Sequence, residues 1–285
     1  MQHTDQIISS QNFEFMGVAT SRYCNVLHID EKHTLIPCNT ELKIFSVDTR
    51  PPLPQEDAKE SEEEPKEVFD ARVEFKQSIS TASIMILKES EEFWAAITYD
   101  GEIMIVQKQS VDEIKEAQSF NILASFHSNQ KYVRHGDISR NGETICFISE
   151  GKDDNSLVII KYNKEKLSIF EEIKEMPNTT IKQCEFDSEG NIVLACSIYE
   201  SEEEGGKTKK KVLAHAIYRF TQFGKKYEID EKIHIEDDSN RLRFVTSTDH
   251  KYGCIMFHSR RVAIIDFESL LIIQEHFIEG IGFVT

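Results

Sequence analysis

The chain has 285 residues and a formal net charge of −17, which argues against nucleic-acid backbone or an acidic membrane surface as the main partner, because such binding rests on clustered Lys and Arg. With 39% hydrophobic residues and eighteen Phe it can bury a sizeable core, so disorder is expected only locally. The opening residues carry no basic segment followed by an apolar core, and no run reaches the roughly 18 apolar residues that span a bilayer, so the expectation is one soluble intracellular domain over 1–285, cytoplasmic or nuclear.

In chain order, residues 13–19 are a short strand candidate behind a polar leader. The first full unit has strands at 26–29, 34–38 and 42–47, with Asp30 to His33 as its first turn, and a fourth strand at 68–75. Residues 51–67 interrupt it with four of the six prolines and a run of acids, too polar to bury and too Pro-rich to pair, so this is expected to be a disordered acidic insertion. The second unit takes 83–87, 93–98, 102–106 and 120–126, with Asp100-Gly101 as a hairpin dipeptide, favoured because such a turn needs positive φ. The third takes 133–138, 144–148, 157–162 and 167–173.

The fourth unit, residues 181–235, is the cleanest. Residues 181–186 alternate, Asp187 to Gly190 form a polar turn, 192–196 are apolar enough for burial on both faces, and strands at 212–220 and 227–235 follow a charged loop at 200–211. The fifth unit takes 242–245, 254–257, 262–267 and 270–277, and a last strand candidate stands at 281–284. The units recur roughly every 50 residues, the excess over a compact repeat sitting partly in loops, where insertion costs little. Only residues 112–118 offer a helical turn.

Four antiparallel strands joined by three turns make a propeller blade. The segments Phe186-Asp-Ser-Glu-Gly-Asn-Ile-Val-Leu-Ala-Cys196, Ile138-Ser-Arg-Asn-Gly-Glu-Thr-Ile145, Ile264-Ile-Asp-Phe267 and Ile44-Phe-Ser-Val-Asp48 resemble the WD-repeat β-propeller family over nearly the whole chain. The resemblance implies an all-β fold of about five recognisable four-stranded blades plus extra terminal strands, in a closed ring or an open, incomplete one. It also implies that turns one-to-two and three-to-four share a rim. That rim would collect Asp30, Glu31, Glu89, Glu91, Glu92, Asp112, Glu113, Glu116, Asp187 and Glu189, and the opposite rim would hold basic spots.

Chemistry-bearing motifs are scarce. Gly205-Gly-Lys-Thr208 has the tail of a phosphate loop, but Ser201 stands where its first glycine belongs and three glutamates precede it. The six cysteines fall mostly in apolar strand patterns without metal-ligand spacing and read as buried thiols. His28, His215, His234 and His258 lie in expected strands and read as hydrogen-bonded strand histidines, and the first strands are expected to be dominated by Cys, Ile, Met and Val.

No catalytic residue, cofactor or metal ligand is expected. The leading function is a non-catalytic protein–protein interaction scaffold within a multi-subunit assembly, with Arg241, Arg243, Arg260, Arg261, Lys209 and Lys210 as candidate partner-binding residues. The alternatives are an accessory RNA-binding subunit, in which Arg241, Arg243, Arg260 and Arg261 touch phosphate, and an enzyme with a site in the central channel.

Overall fold

Alternating apolar residues and short polar turns act together in every repeat. In the computed structural model, which describes residues 26–50, 68–151, 155–204, 207–238, 242–247 and 249–277, the strands form five four-stranded antiparallel sheets, each built from four consecutive strands. Sheet 1 contains β1 (Leu27–His28), β2 (His33–Cys38), β3 (Glu41–Arg50) and β4 (Val68–Ser78). Sheet 2 contains β5 (Ile84–Glu89), β6 (Phe93–Thr98), β7 (Glu102–Gln107) and β8 (Ile122–His127), with helix α1 (Val111–Ala117) between the last two. Sheet 3 contains β9 (Val133–Ile138), β10 (Thr144–Glu150), β11 (Asn155–Tyr162) and β12 (Leu167–Lys174). Sheet 4 contains β13 (Thr179–Phe186), β14 (Ile192–Glu204), β15 (Lys207–Phe223) and β16 (Lys226–Ile235). Sheet 5 contains β17 (Leu242–Thr246), β18 (Tyr252–Phe257), β19 (Arg261–Asp266) and β20 (Leu271–Phe277).

The turns form for local reasons. Asp187 accepts the backbone N–H groups of Glu189 at 2.9 Å and Asn191 at 2.8 Å, and Gly190 takes φ +84°, which a side chain would resist. Asp30 does the same for Lys32 and His33, and these hydrogen bonds, the Lys32 amide first, lower its pKa. Helix α1 starts with a capping box, in which Ser110 accepts from the Glu113 amide while the Glu113 carboxylate accepts from the Ser110 amide. Its Val111 and Ile114 are buried in the core that joins sheets 1 and 2.

Four apolar cores lie between successive sheets. Leu35, Ile44, Leu87 and Trp94 join sheets 1 and 2; Ile86, Phe93, Ile145 and Phe147 join sheets 2 and 3; Ile148, Ile159, Phe186 and Leu194 join sheets 3 and 4; Ala195, Ile217, Phe244 and Phe257 join sheets 4 and 5. The middle strands are apolar on both faces because each face meets a different neighbour. First strands of successive sheets lie against one another, and the architecture is β-propeller-like.

Some expectations change. The charged stretch 200–211 is mostly strand, since β14 and β15 continue as a hairpin pairing Glu200 with Lys211, Glu202 with Lys209 and Glu204 with Lys207. The fourth strand of sheet 2 begins at Ile122, not 120, because Phe120 packs edge-on against Phe75 at 5.4 Å beside the helix. The terminal strand candidates at 13–19 and 281–284 and the insertion at 51–67 lie outside the described residues. Among the described residues, no helix is long and apolar enough to cross a membrane.

Candidate interaction surface

Each first turn closes with a backbone hydrogen bond: Ile29 to His33, Ser90 to Phe93, Ser139 to Thr144, Asp187 to Asn191 and Ser247 to Tyr252. Two residues earlier, the five first strands carry Leu27, Lys88, Asp137, Glu185 and Val245. Strand alternation turns this position toward the sheet that follows. Leu27 packs into the core shared with sheet 2. The next three form an ion cluster that ties sheets 2, 3 and 4, with the Lys88 ammonium 2.8 Å from Glu185 and 3.4 Å from Asp137.

Both carboxylates are buried, and Asp137 also accepts the Phe186 amide at 2.8 Å. Burial pushes the Glu185 carboxyl up to about 8; Lys88 opposes this and Asp137 reinforces it. Burial acts to lower the Lys88 pKa, but Asp137 and Glu185 outweigh it and hold the ammonium charged. One step nearer the start of the strands, Gln183 spans to sheet 5 by accepting the Phe244 amide at 2.5 Å and donating to the Phe244 carbonyl at 2.8 Å. Burial, with Arg134, Lys88 and Arg243 nearby, pushes His135 down to about 4, so its ring is neutral at pH 7. The first strands therefore carry a polar seam, contrary to the expectation of Cys, Ile, Met and Val. It arises because first-strand side chains must also satisfy the neighbouring sheet's backbone.

Three of the ten acids expected on one rim have a Lys or Arg partner, and three others hold local structure. Glu89 pairs with Lys108 at 3.0 Å, Glu91 with Arg140 at 2.8 Å and Glu92 with Lys164 at 3.4 Å, and Asp30, Glu113 and Asp187 hold turns or the helix cap. The Glu91–Arg140 and Glu92–Lys164 pairs also put one-to-two and three-to-four turns of adjoining sheets on one rim. A cleft of about 310 Å³ lies there beside Trp94, His28, Asp30 and Glu89.

The same position in sheet 5 differs. Val245 is 50% exposed and meets no sheet among the described residues. Its cross-strand partners on that face are Cys254 and Ile264; one pair along come Arg243, Met256 and Val262, and toward the turn Tyr252 and Leu271. Cys254, Met256, Val262 and Ile264 are only half-buried, and Leu271 is 61% exposed. Sheet 4 presents Val193, Ala195 and Ile217 at the matching positions, and there sheet 5 buries them completely. The middle of the outer face of sheet 5 is thus apolar and uncovered among the described residues, bordered by Asp266, Gln274 and His276, with the exposed guanidinium of Arg243 at its inner edge.

The sequence-derived candidates fall in different places. Arg243 lies on this open face. Arg260, exposed, occupies the β18–β19 turn with φ +68°. Arg261 is engaged, donating to the Glu236 carbonyl at 2.8 Å and to Glu275 at 2.5 Å, its guanidinium 5.7 Å from the Phe257 ring centre. Lys209 and Lys210 lie in the hairpin opposite Glu202 and Ser201, and Arg241 lies outside the described residues. Sequence reasoning missed Lys88 and Glu185, and read His135 and Asp137 as turn and hydrogen-bond chemistry at a strand's start, a role Asp137 has toward the Phe186 amide; the signal for the cluster was a charged residue at one fixed offset before three successive first turns.

No family model matches the chain, and no curated protein does. Among solved structures, 1103 chains match, so the shape is widely shared. One of them, Kuenenia stuttgartiensis hydrazine synthase, superposes with a TM-score of 0.54 at 13% identity, over 83% of this chain and 62% of that one. The likeness is one of fold alone.

Proposed function

We propose that the chain is a WD-repeat-like propeller that acts as a non-catalytic scaffold, open between sheet 5 and sheet 1, and that another protein binds at the opening. The observation that carries this reading is the open outer face of sheet 5. A contiguous apolar face on an otherwise strongly charged protein marks an interaction site, and here it has the composition that buries itself in the sheet 4 to sheet 5 contact. The reading places the protein in the cytoplasm or nucleus, with which its free cysteines agree.

A catalytic reading draws on the polar seam of Lys88, His135, Asp137 and Glu185. It is the weaker one, because Lys88 is spent on both carboxylates and Asp137 on a backbone amide. The test is purification of the tagged chain from its native cells, intact and without residues 51–67. Stoichiometric recovery of the same subunits supports the scaffold, and loss of particular subunits from the deletion assigns the acidic insertion a docking role. Recovery of the chain alone and monodisperse overturns the reading.

A further inference from the structure

The scaffold reading leaves the chemistry of the partner open, and the repeat narrows it. At each sheet contact, first-strand side chains satisfy backbone groups of the next sheet: Asp137 takes an amide from sheet 4, and Gln183 both accepts from and donates to sheet 5. Arg243 stands in the matching row of sheet 5, and a guanidinium can only donate. Cys254, Met256 and Val262 offer apolar contact at the positions that sheet 4 fills with Val193, Ala195 and Ile217, and Val245 and Ile264 are apolar where sheet 4 carries Glu185 and Arg219.

We propose that the open face of sheet 5 receives β-strands of a different polypeptide, apolar where they meet Val245, Met256 and Ile264, with a carboxylate facing Arg243. The proposal rests on the scaffold reading. A second copy fits poorly, since two chains of net charge −17 repel. An acidic partner group is favoured because Arg243 gains a charge-assisted, bidentate hydrogen bond from a carboxylate that a neutral acceptor does not give.

Cys254 gives a direct footprint, since it is half-buried on the open face while Cys38, Cys146, Cys184 and Cys196 are buried. N-ethylmaleimide should modify Cys254 in the isolated full-length chain, and at least about tenfold more slowly in the purified assembly, a loss of access expected when a face is covered. Ile264→Glu should abolish the protection. In the assembly, carbodiimide treatment of Arg243→Lys should join the new amine to an Asp or Glu of a strand in another subunit. Protection already present in the isolated dilute chain would mean that the chain's own residues cover the face. Protection that rises with the concentration of the pure chain would mean self-association. Either result overturns the proposal, as does a carbodiimide product to a residue outside a strand. An intact assembly with Cys254 still reactive would overturn it while the scaffold reading survives; a chain recovered alone would remove the scaffold reading itself.

Discussion

Lys88, Asp137 and Glu185 show how one strand position is used in different ways around the same fold. A buried ammonium with two acids, of which Glu185 keeps its proton up to about pH 8, is tolerable only as a set, because removing one partner strands the others in a poor solvent. Lys88→Met should therefore cost about 3 kcal/mol in urea unfolding, leaving Asp137 buried without its cation. The pH dependence follows from the same groups. Glu185, with its folded pKa pushed up to about 8, holds a proton that the unfolded chain releases near 4.5, so its contribution is complete at acid pH and lost as pH rises to about 8. His135, pushed down to about 4, behaves oppositely: its contribution is present above 6.5 and lost as pH falls through 4. Urea midpoints measured across pH 4 to 8 should lose their fall on the alkaline side in Glu185→Gln and their fall on the acid side in His135→Gln. Between these residues lies Gly136, where a Cβ would come within 2.6 Å of the Cys146 carbonyl oxygen and 2.8 Å of the Phe147 Cβ. Gly136→Ala should cost about 1–3 kcal/mol in the same assay, because backbone has to shift.

At the scale of an element, the β14–β15 hairpin is held differently on its two halves. Up to Ile198 it is flanked by β13, and from His215 onward by β16. Beyond those points the two strands pair only with each other, and a lone two-stranded ribbon is marginal in water. The register places Glu200, Glu202 and Glu204 opposite Lys211, Lys209 and Lys207 over this stretch. Reversing one charge with Glu202→Lys should loosen the ribbon by roughly 0.2–1 kcal/mol, seen as faster amide exchange at 200–204 and 207–211. Adding Lys209→Glu should restore slow exchange, and failure of that rescue would mean that the pairing is not electrostatic. Helix α1 depends on its cap in a similar way, and Ser110→Ala should cost about 1 kcal/mol in thermal or urea unfolding.

Among the described residues, each interior sheet is buried on both faces, while sheet 5 packs against a neighbouring sheet on one. Phe244, fully buried against sheet 4, and Val245, half exposed on the other face, are neighbours in sequence with opposite roles. Phe244→Ala should cost about 3–5 kcal/mol in the isolated chain. Val245→Glu should change its urea midpoint by no more than about 0.5 kcal/mol, since no cavity forms and no buried contact is lost. Equal losses from the two changes would show that the outer face is covered in the isolated chain.

Strand alternation, turn residues and the fifty-residue recurrence made the five four-strand units legible from sequence, because period-two burial and turns such as Asp187 to Gly190 are local properties of the chain. The helix at Val111–Ala117 was visible only as one helical turn at 112–118, because its capping box and the burial of Val111 and Ile114 fix it in the folded chain. Three things were decided only in the tertiary structure. The extension of β14 and β15 through residues 200–211 depends on the register that brings Glu202 opposite Lys209. The Lys88–Asp137–Glu185 cluster joins residues 49 and 97 positions apart, through contacts between sheets that no local pattern encodes. The exposure of Val245, Met256 and Ile264 depends on which sheet lacks a neighbour. An apolar strand face reads the same whether it is covered or open, so composition supplied the surface and only packing showed that no described sheet covers it.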